Sequence, residues 1–181
     1  MTKAMKVGLA GALALVLGAA TIAVASGSRF TMNARLNGYE EIPALSTPAK
    51  GTFSATADGD SLTYTLTYTD FPTPVLQSHI HFGQKGVSGG VSIFLCTNLG
   101  NGPAGTPACP PDGGTVSRTV TAADVVGPAA QGITAGEWNE IVAAIRAGIS
   151  YANIHTQQYP PGEIRGQIST RPGGDGQGED D

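Results

Sequence analysis

The stretch SLTYTLTYTD, residues 61–70, alternates without a break, with Leu62, Tyr64, Leu66 and Tyr68 on one parity and Thr63, Thr65, Thr67 and Thr69 on the other. A period of two with one apolar face predicts a half-buried β-strand. The run before it, GTFSATADGD, carries Phe53, Ala55 and Ala57 at alternate positions and ends its apolar pattern at Asp58-Gly59. That dipeptide suits the positive φ of a tight turn, so the two runs are expected to pair as an antiparallel hairpin. Further strand candidates are RFTMNARL, VLQSHIHF, VSIFL, TVSRTVT, SYANIHT and EIRGQIST. Short strands separated by Gly and Pro predict an all-β fold, an antiparallel, Greek-key-like sandwich or barrel.

One segment has another period. In TAGEWNEIVAAIRAGI, Trp138, Ile141, Val142 and Ile145 fall at the i, i+3, i+4, i+7 offsets of an amphipathic helix. Thr134 and Glu137 have the spacing of a capping box, and Gly148 is placed to end the helix. A single short helix is expected to cover one side or end of the sheet, with its apolar stripe turned to the core.

The first residues break the alternation altogether. Lys3 and Lys6 precede an unbroken run of apolar and small residues from Val7 to Ala25 that closes in Ala23-Val24-Ala25. This is the layout of a secretory signal peptide over residues 1–25, with cleavage leaving Ser26 first. An uncleaved anchor is the alternative, because the run approaches the roughly 20 residues that span a bilayer; the Gly and Ala content and the A-x-A ending favour cleavage. Residues 26–170 are then expected to form one domain in a secreted or periplasmic protein, with no membrane contact after cleavage. Residues 171–181, acidic and Gly-rich, are expected to be a disordered tail.

Charge narrows the partners. The mature chain keeps eight basic and fourteen acidic side chains, and four of the acids, Asp175, Glu179, Asp180 and Asp181, sit in the tail. The folded part lacks the basic face that a nucleic acid requires, so that partner class is set aside. The two cysteines, Cys96 and Cys109, bracket a loop rich in Gly, Pro and Asn, and in an oxidising compartment they are expected to pair as a disulfide.

The chemistry lies in the three histidines of the chain. Side chains two apart on a strand share a face, which in VLQSHIHF groups Leu76, Ser78, Ile80 and Phe82 toward the core and Val75, Gln77, His79 and His81 away from it. Two imidazoles roughly 7 Å apart along a strand, twice the rise per residue, are within reach of one metal ion. The same parity rule groups His155 with Asn153 and Tyr151, and Glu163 with Arg165 and Gln167. If these strands are neighbours, His79, His81 and His155 converge, with Glu163 and Arg165 near them. Three imidazoles suit copper or zinc. The same residues also fit a purely bracing role, with His79 and His81 bonding loop carbonyls, His155 fixing the QQYPPGE turn, and Glu163 pairing with Arg165.

Three stretches, FTMNARLNGYEEIP, SHIHFGQKGVSGGVSIFL and GISYANIHTQQYPPGEIRGQI, resemble in order the three signature blocks of the CHRD domain, a module first described in chordin. In the last block Tyr151, Asn153, His155, Thr156, Pro161, Gly162, Glu163, Ile164, Arg165, Gly166 and Gln167 follow the family's order. The resemblance implies an extracytoplasmic β-sandwich. A fainter one concerns HIHFG, which is similar to the strand that supplies copper–zinc superoxide dismutase with two copper ligands. It implies His79, His81 and His155 as copper ligands and Arg165 as an anion-guiding neighbour. The chain has no further histidine to bridge two metals and no His-His-Asp cluster for zinc, which implies a one-metal or metal-free relative of that sandwich.

No Ser-His-Asp arrangement, nucleotide loop, HExxH or paired-carboxylate cleft appears, so no nucleotide or organic cofactor is expected. The leading expectation is a secreted binding module for a metal ion or an extracellular protein partner. A copper-dependent oxidoreductase and a purely structural domain with bracing histidines are the alternatives.

Overall fold

The computed structural model describes residues 29–173; the expected signal peptide and residues 174–181 of the expected tail lie outside the described residues. The nine strands found among them are β1 (Phe30–Asn37), β2 (Lys50–Asp58), β3 (Ser61–Thr69), β4 (Val75–Phe82), β5 (Gly90–Thr97), β6 (Gly114–Thr121), β7 (Ser150–Thr156), β8 (Ile164–Gln167) and β9 (Ser169–Pro172), with one α-helix, α1 (Trp138–Arg146), between β6 and β7. All strand pairs are antiparallel, and the sheet order is β5-β4-β7-β8-β1-β2-β3-β6, with β9 beside β1. The chain crosses from β5 to β3 to lay down β6, then crosses back to β4 to lay down β7. A bridge from Ile93 to Val125 draws the free edge of β5 toward the end of β6. The sheet thus curls into a nearly closed, Greek-key-like barrel, the all-β fold expected from the alternation.

The period-two reading of β3 is realised residue by residue: Leu62, Tyr64, Leu66 and Tyr68 are buried and the intervening threonines point outward. There they meet β6 in cross-strand hydroxyl pairs, Thr63 with Thr119, Thr65 with Ser117 and Thr67 with Thr115, contacts of the kind that stabilise facing strands. The β2–β3 hairpin turns through Gly59, whose φ of +54° is the positive angle expected there. Phe53, Met32, Leu36, Ile80, Ile93, Leu95, Ile154 and Ile164 complete the interior.

Helix α1 buries Trp138, Ile141 and Ile145 of the expected stripe, while Val142 is half-buried. Trp138 Nε1 reaches the Gly59 carbonyl at 3.4 Å, which seats the helix against the β2–β3 turn. Its start differs from expectation. The helix begins at Trp138 with Glu137 as N-cap, and the Glu137 carboxylate accepts from the Thr134 N–H at 2.6 Å in the turn ahead of it. Only that half of the box forms, because positive-φ Gly136 breaks the helical path between the two residues. Gly148, with φ +71°, ends the helix as expected. No helix of the described residues is long and apolar enough to cross a membrane.

Two further expectations are corrected. The run EIRGQIST does not make one strand: β8 is held between β7 and β1, then Ile168 turns into the core and its N–H bonds back to the Ser150 carbonyl, after which β9 follows β1 alone. That pairing carries Arg171 and Pro172, so ordered strand extends past residue 170. In β4, the register shifts between Val75 and Gln77, and this irregularity rotates Val75 into the core while Leu76 is left half-buried.

Cys96 and Cys109 are joined as a disulfide, with Cα atoms 5.1 Å apart. The Asn98 side chain fastens the same loop, donating to the carbonyls of Val75 and Cys109 at 2.9 Å each. Replacing both cysteines by alanine is expected to cost about 3 kcal/mol, the chain-entropy value for a loop of this length. Urea denaturation of the variant beside the oxidised parent measures it.

Candidate metal centre

β7 lies between β4 and β8, and all seven of its residues are buried. One face of β7 packs on the barrel interior. The other, expected to face outward or into a cleft, is roofed by the loops after β1, β4 and β7, and the histidines sit beneath that roof.

Register brings them together. Gln77 pairs with His155, His79 with Asn153 and His81 with Tyr151, so His155 is the diagonal neighbour of His79. On the other side of β4, shifts between Ser78 and His79 and between Ile80 and His81 interrupt the pairing with β5, and such bulges re-aim side chains. The ring centroids of His79 and His81 are 5.4 Å apart, closer than the straight-strand spacing; His79 and His155 are 4.9 Å apart and His81 and His155 5.8 Å. One nitrogen from each ring falls within 4.8 Å of the others. The expected convergence of His79, His81 and His155 is present, and of the two expected settings it takes the enclosed one, a buried pocket.

The tautomers follow from the partners. His81 Nδ1 lies 2.9 Å from the Gly89 carbonyl and His155 Nδ1 2.9 Å from the Pro160 carbonyl. A carbonyl only accepts, so both Nδ1 atoms carry hydrogen and both Nε2 atoms present lone pairs to the cluster. His155 Nε2 is met by His79 Nδ1 at 3.1 Å, which therefore donates. Nε2 of His79 and Nε2 of His81 are buried with no hydrogen-bond partner. Desolvation holds all three rings neutral: burial, with lesser contributions from His155 and His81, pushes the His79 pKa down to about 2, and burial outweighs the Gly89 bond to bring His81 to about 4. His155 is lowered by burial, which the bond to Pro160 opposes.

The walls are aromatic. Phe94 stands edge-on to His79 at 4.4 Å, and Tyr151 stacks on His81 at 4.8 Å with the planes 6° apart. The Tyr151 hydroxyl accepts from the Gly89 N–H at 3.0 Å, so Tyr151 and His81 grip the same residue. Arg165 Cζ sits 3.4 Å from the centroid of the Tyr151 ring. Since His81 occupies one face of that ring, contact distances place the guanidinium on the other, and Tyr151 separates Arg165 from the histidines. An Arg165 N–H donates to the Gln84 carbonyl at 3.0 Å.

Glu163 and Arg165 do not pair. Glu163 precedes β8 and is fully buried; one carboxylate oxygen accepts from the Thr47 hydroxyl and the other from the Thr156 hydroxyl, both at 2.6 Å. It ties the loop before β2 to the residue after His155. The acidic neighbour of Arg165 is instead Glu41, which also accepts from the Asn153 amide. Burial pushes the Glu41 pKa up to about 7 against the pull of the Ile42 N–H, Arg165 and Asn153. Tyr151 and Asn153 share the parity of His155 and were readable as its face. The loop carbonyls of Gly89 and Pro160 match the bonds expected of His81 and of His155 in the QQYPPGE turn, whereas Glu41 and Phe94 carried no local signal, because each arrives from a different strand or loop.

The site combines three neutral imidazoles, two of them steered by backbone carbonyls, a group able to hold a metal ion. No curated protein and no solved structure matches the chain. The CHRD domain family matches residues 32–168, a span that runs from β1 to the end of β8 and takes in every residue of the site. The chain belongs to the CHRD domain family.

Proposed function

We propose that this chain is an extracytoplasmic binding module that holds one copper or zinc ion on His79, His81 and His155. The observation that carries the reading is the convergence of three buried imidazole nitrogens within 4.8 Å. The 3.1 Å between His79 Nδ1 and His155 Nε2 suits two nitrogens bonded to one ion at about 2.0–2.1 Å each, with the His79 hydrogen then carried on Nε2 instead of Nδ1. A bracing role alone accounts for the Nδ1 bonds to Gly89 and Pro160. It leaves His81 Nε2, a lone pair turned to the cluster, buried and unpaired, a cost that a bracing design has no reason to carry.

Glu163 and Arg165 serve this site as supports. Arg165 presses Tyr151 onto His81, and Glu163 fixes the end of the His155 strand. The apolar leader ending in Ala-Val-Ala and the Cys96–Cys109 disulfide support export to an oxidising compartment. An extracellular protein partner would meet the loops that roof the site, where Tyr39 and Val87 are exposed.

Calorimetric titration of the metal-free chain with copper(II) and zinc, paired with melting curves, tests the reading. One ion per chain is expected, and free metal at 100 times Kd stabilises the fold by about 2.7 kcal/mol. His155→Ala removes both effects. Melting curves that metal leaves untouched refute the proposal.

A further inference from the structure

We propose that the ion held by His79, His81 and His155 is copper in its cuprous state, a monocation taken by three neutral imidazoles inside a pocket that offers no counter-charge. The inference rests on the metal reading above and adds to it the charge of the ion.

Ligand charge is the first ground. Among the described residues no aspartate, glutamate or cysteine joins the three histidines, and both cysteines are consumed in the disulfide. Nearby carboxylates are committed elsewhere, Glu41 to Asn153 beside Arg165 and Glu163 to the hydroxyls of Thr47 and Thr156. The ionic group stacked behind the site is a cation, the Arg165 guanidinium on the far face of Tyr151.

Burial is the second. The charging free energy of an ion in a poorly polarisable medium grows with the square of its charge, so a dication without an anionic ligand costs about four times as much as a monocation of the same size. His79, His81 and His155 are 2%, 7% and 7% exposed, and Phe94 and Tyr151 close in on the rings. Zinc bound by three protein ligands completes its tetrahedron with a water or substrate, and a cupric ion seeks a tetragonal set of nitrogen and oxygen donors. The cuprous ion shares zinc's filled d shell and so makes no tetragonal demand, and with half the charge it can stop at three donors without a bound water, so three nitrogens satisfy it.

The test is an anaerobic competition on the purified metal-free chain. Copper(I) is supplied as its coloured bicinchoninate complex, zinc is titrated against a chromophoric chelator, and silver(I) serves as a redox-inert monovalent surrogate read by the melting temperature. Expected are one copper(I) per chain with Kd at least about 100-fold below that for zinc, equivalent to about 2.7 kcal/mol, and stabilisation by silver(I) with the same stoichiometry. His155→Ala and His81→Asn, tested separately, each abolish copper(I) uptake. Zinc bound as tightly as copper(I) or more so, one ion per chain and lost in His155→Ala, overturns the cuprous assignment and leaves the metal site standing. Copper(I) bound equally well by both variants places the ion elsewhere and overturns it too. A chain that takes up none of the three ions overturns the site and the assignment together.

Discussion

Metal-free protein is expected to lose stability steeply as the pH falls from 7 to 5. The three imidazoles are held neutral in the fold, His79 down to about 2, His81 to about 4 and His155 lowered by the same burial. In the unfolded chain each takes up a proton below about 6.5. The unfolded state therefore binds more protons, and stability rises with pH across that window; it is complete above 6.5 and is lost on acidification. Glu41 acts with the opposite sign. Its folded pKa of about 7 against an ordinary 4.5 means that the fold holds a proton the unfolded chain has released, a contribution present below 4.5 and lost as pH rises toward 7. His79 and His81 against Glu41 leave a net uptake of about one proton on unfolding between pH 4.5 and 6.5, to which His155 adds in the same direction. The slope near pH 5 is then about 1.4 kcal/mol per pH unit, steeper by whatever His155 adds, so that acidification from pH 7 to 5 removes about 2 kcal/mol or more of the 5–15 kcal/mol of an ordinary domain. Urea denaturation with a chelator present at pH 7, 6 and 5 measures it. His79→Asn and His81→Asn should each flatten the profile by about one proton. A midpoint that does not move between pH 7 and 5 contradicts the neutral, desolvated state of the cluster.

Gly89→Ala is expected to have the largest effect of any single methyl group near the site. A Cβ built there lies 1.8 Å from the Phe82 carbonyl oxygen and 2.6 Å from its carbon, and both obstacles are backbone, so no side-chain rotation makes room. The loop after β4 must move. With it goes the Gly89 carbonyl that fixes the His81 Nδ1 proton and the Gly89 N–H that holds Tyr151. Overpacking of this kind costs about 1–3 kcal/mol or more, and loss of an outer support weakens metal affinity by about 10–100-fold. Gly86→Ala is the control. Three residues earlier in the same loop, its Cβ meets nothing within 4 Å, although φ is +79°, so only the left-handed backbone penalty of about 1–2 kcal/mol applies and metal affinity is unchanged. Equal metal affinity in the parent and Gly89→Ala would detach the loop from the site.

The site was legible in the sequence to different depths. His79 and His81 stood out because a period of two puts both on one face of a strand whose other face is apolar, and His155 shared its parity with Tyr151 and Asn153. The burial of that face was not legible. Alternation reports which residues share a side; whether solvent or a loop covers that side depends on how the following loops fold back, here at Gly89 and Pro160, and on distant chain such as Glu41. The side taken by Val75 was misjudged for a related reason, because a register irregularity beside Gln77 shifts parity without leaving a mark in the hydrophobic pattern. Glu163 and Arg165 sit two residues apart yet act separately, since β8 begins only at Ile164.

By itself, the sequence determined the strand alternation, the β2–β3 turn, the helical stripe and the residues able to bind a metal, because these depend on side-chain chemistry and on contacts within a few residues. Tertiary structure alone decided that β7 lies between β4 and β8, that three loops close over the imidazoles, and that Tyr151 separates Arg165 from His81. Those arrangements hinge on pairing β4 with β7, whose His79 and His155 are 76 positions apart. The lowered histidine pKa values come from desolvation, which no short stretch of sequence encodes.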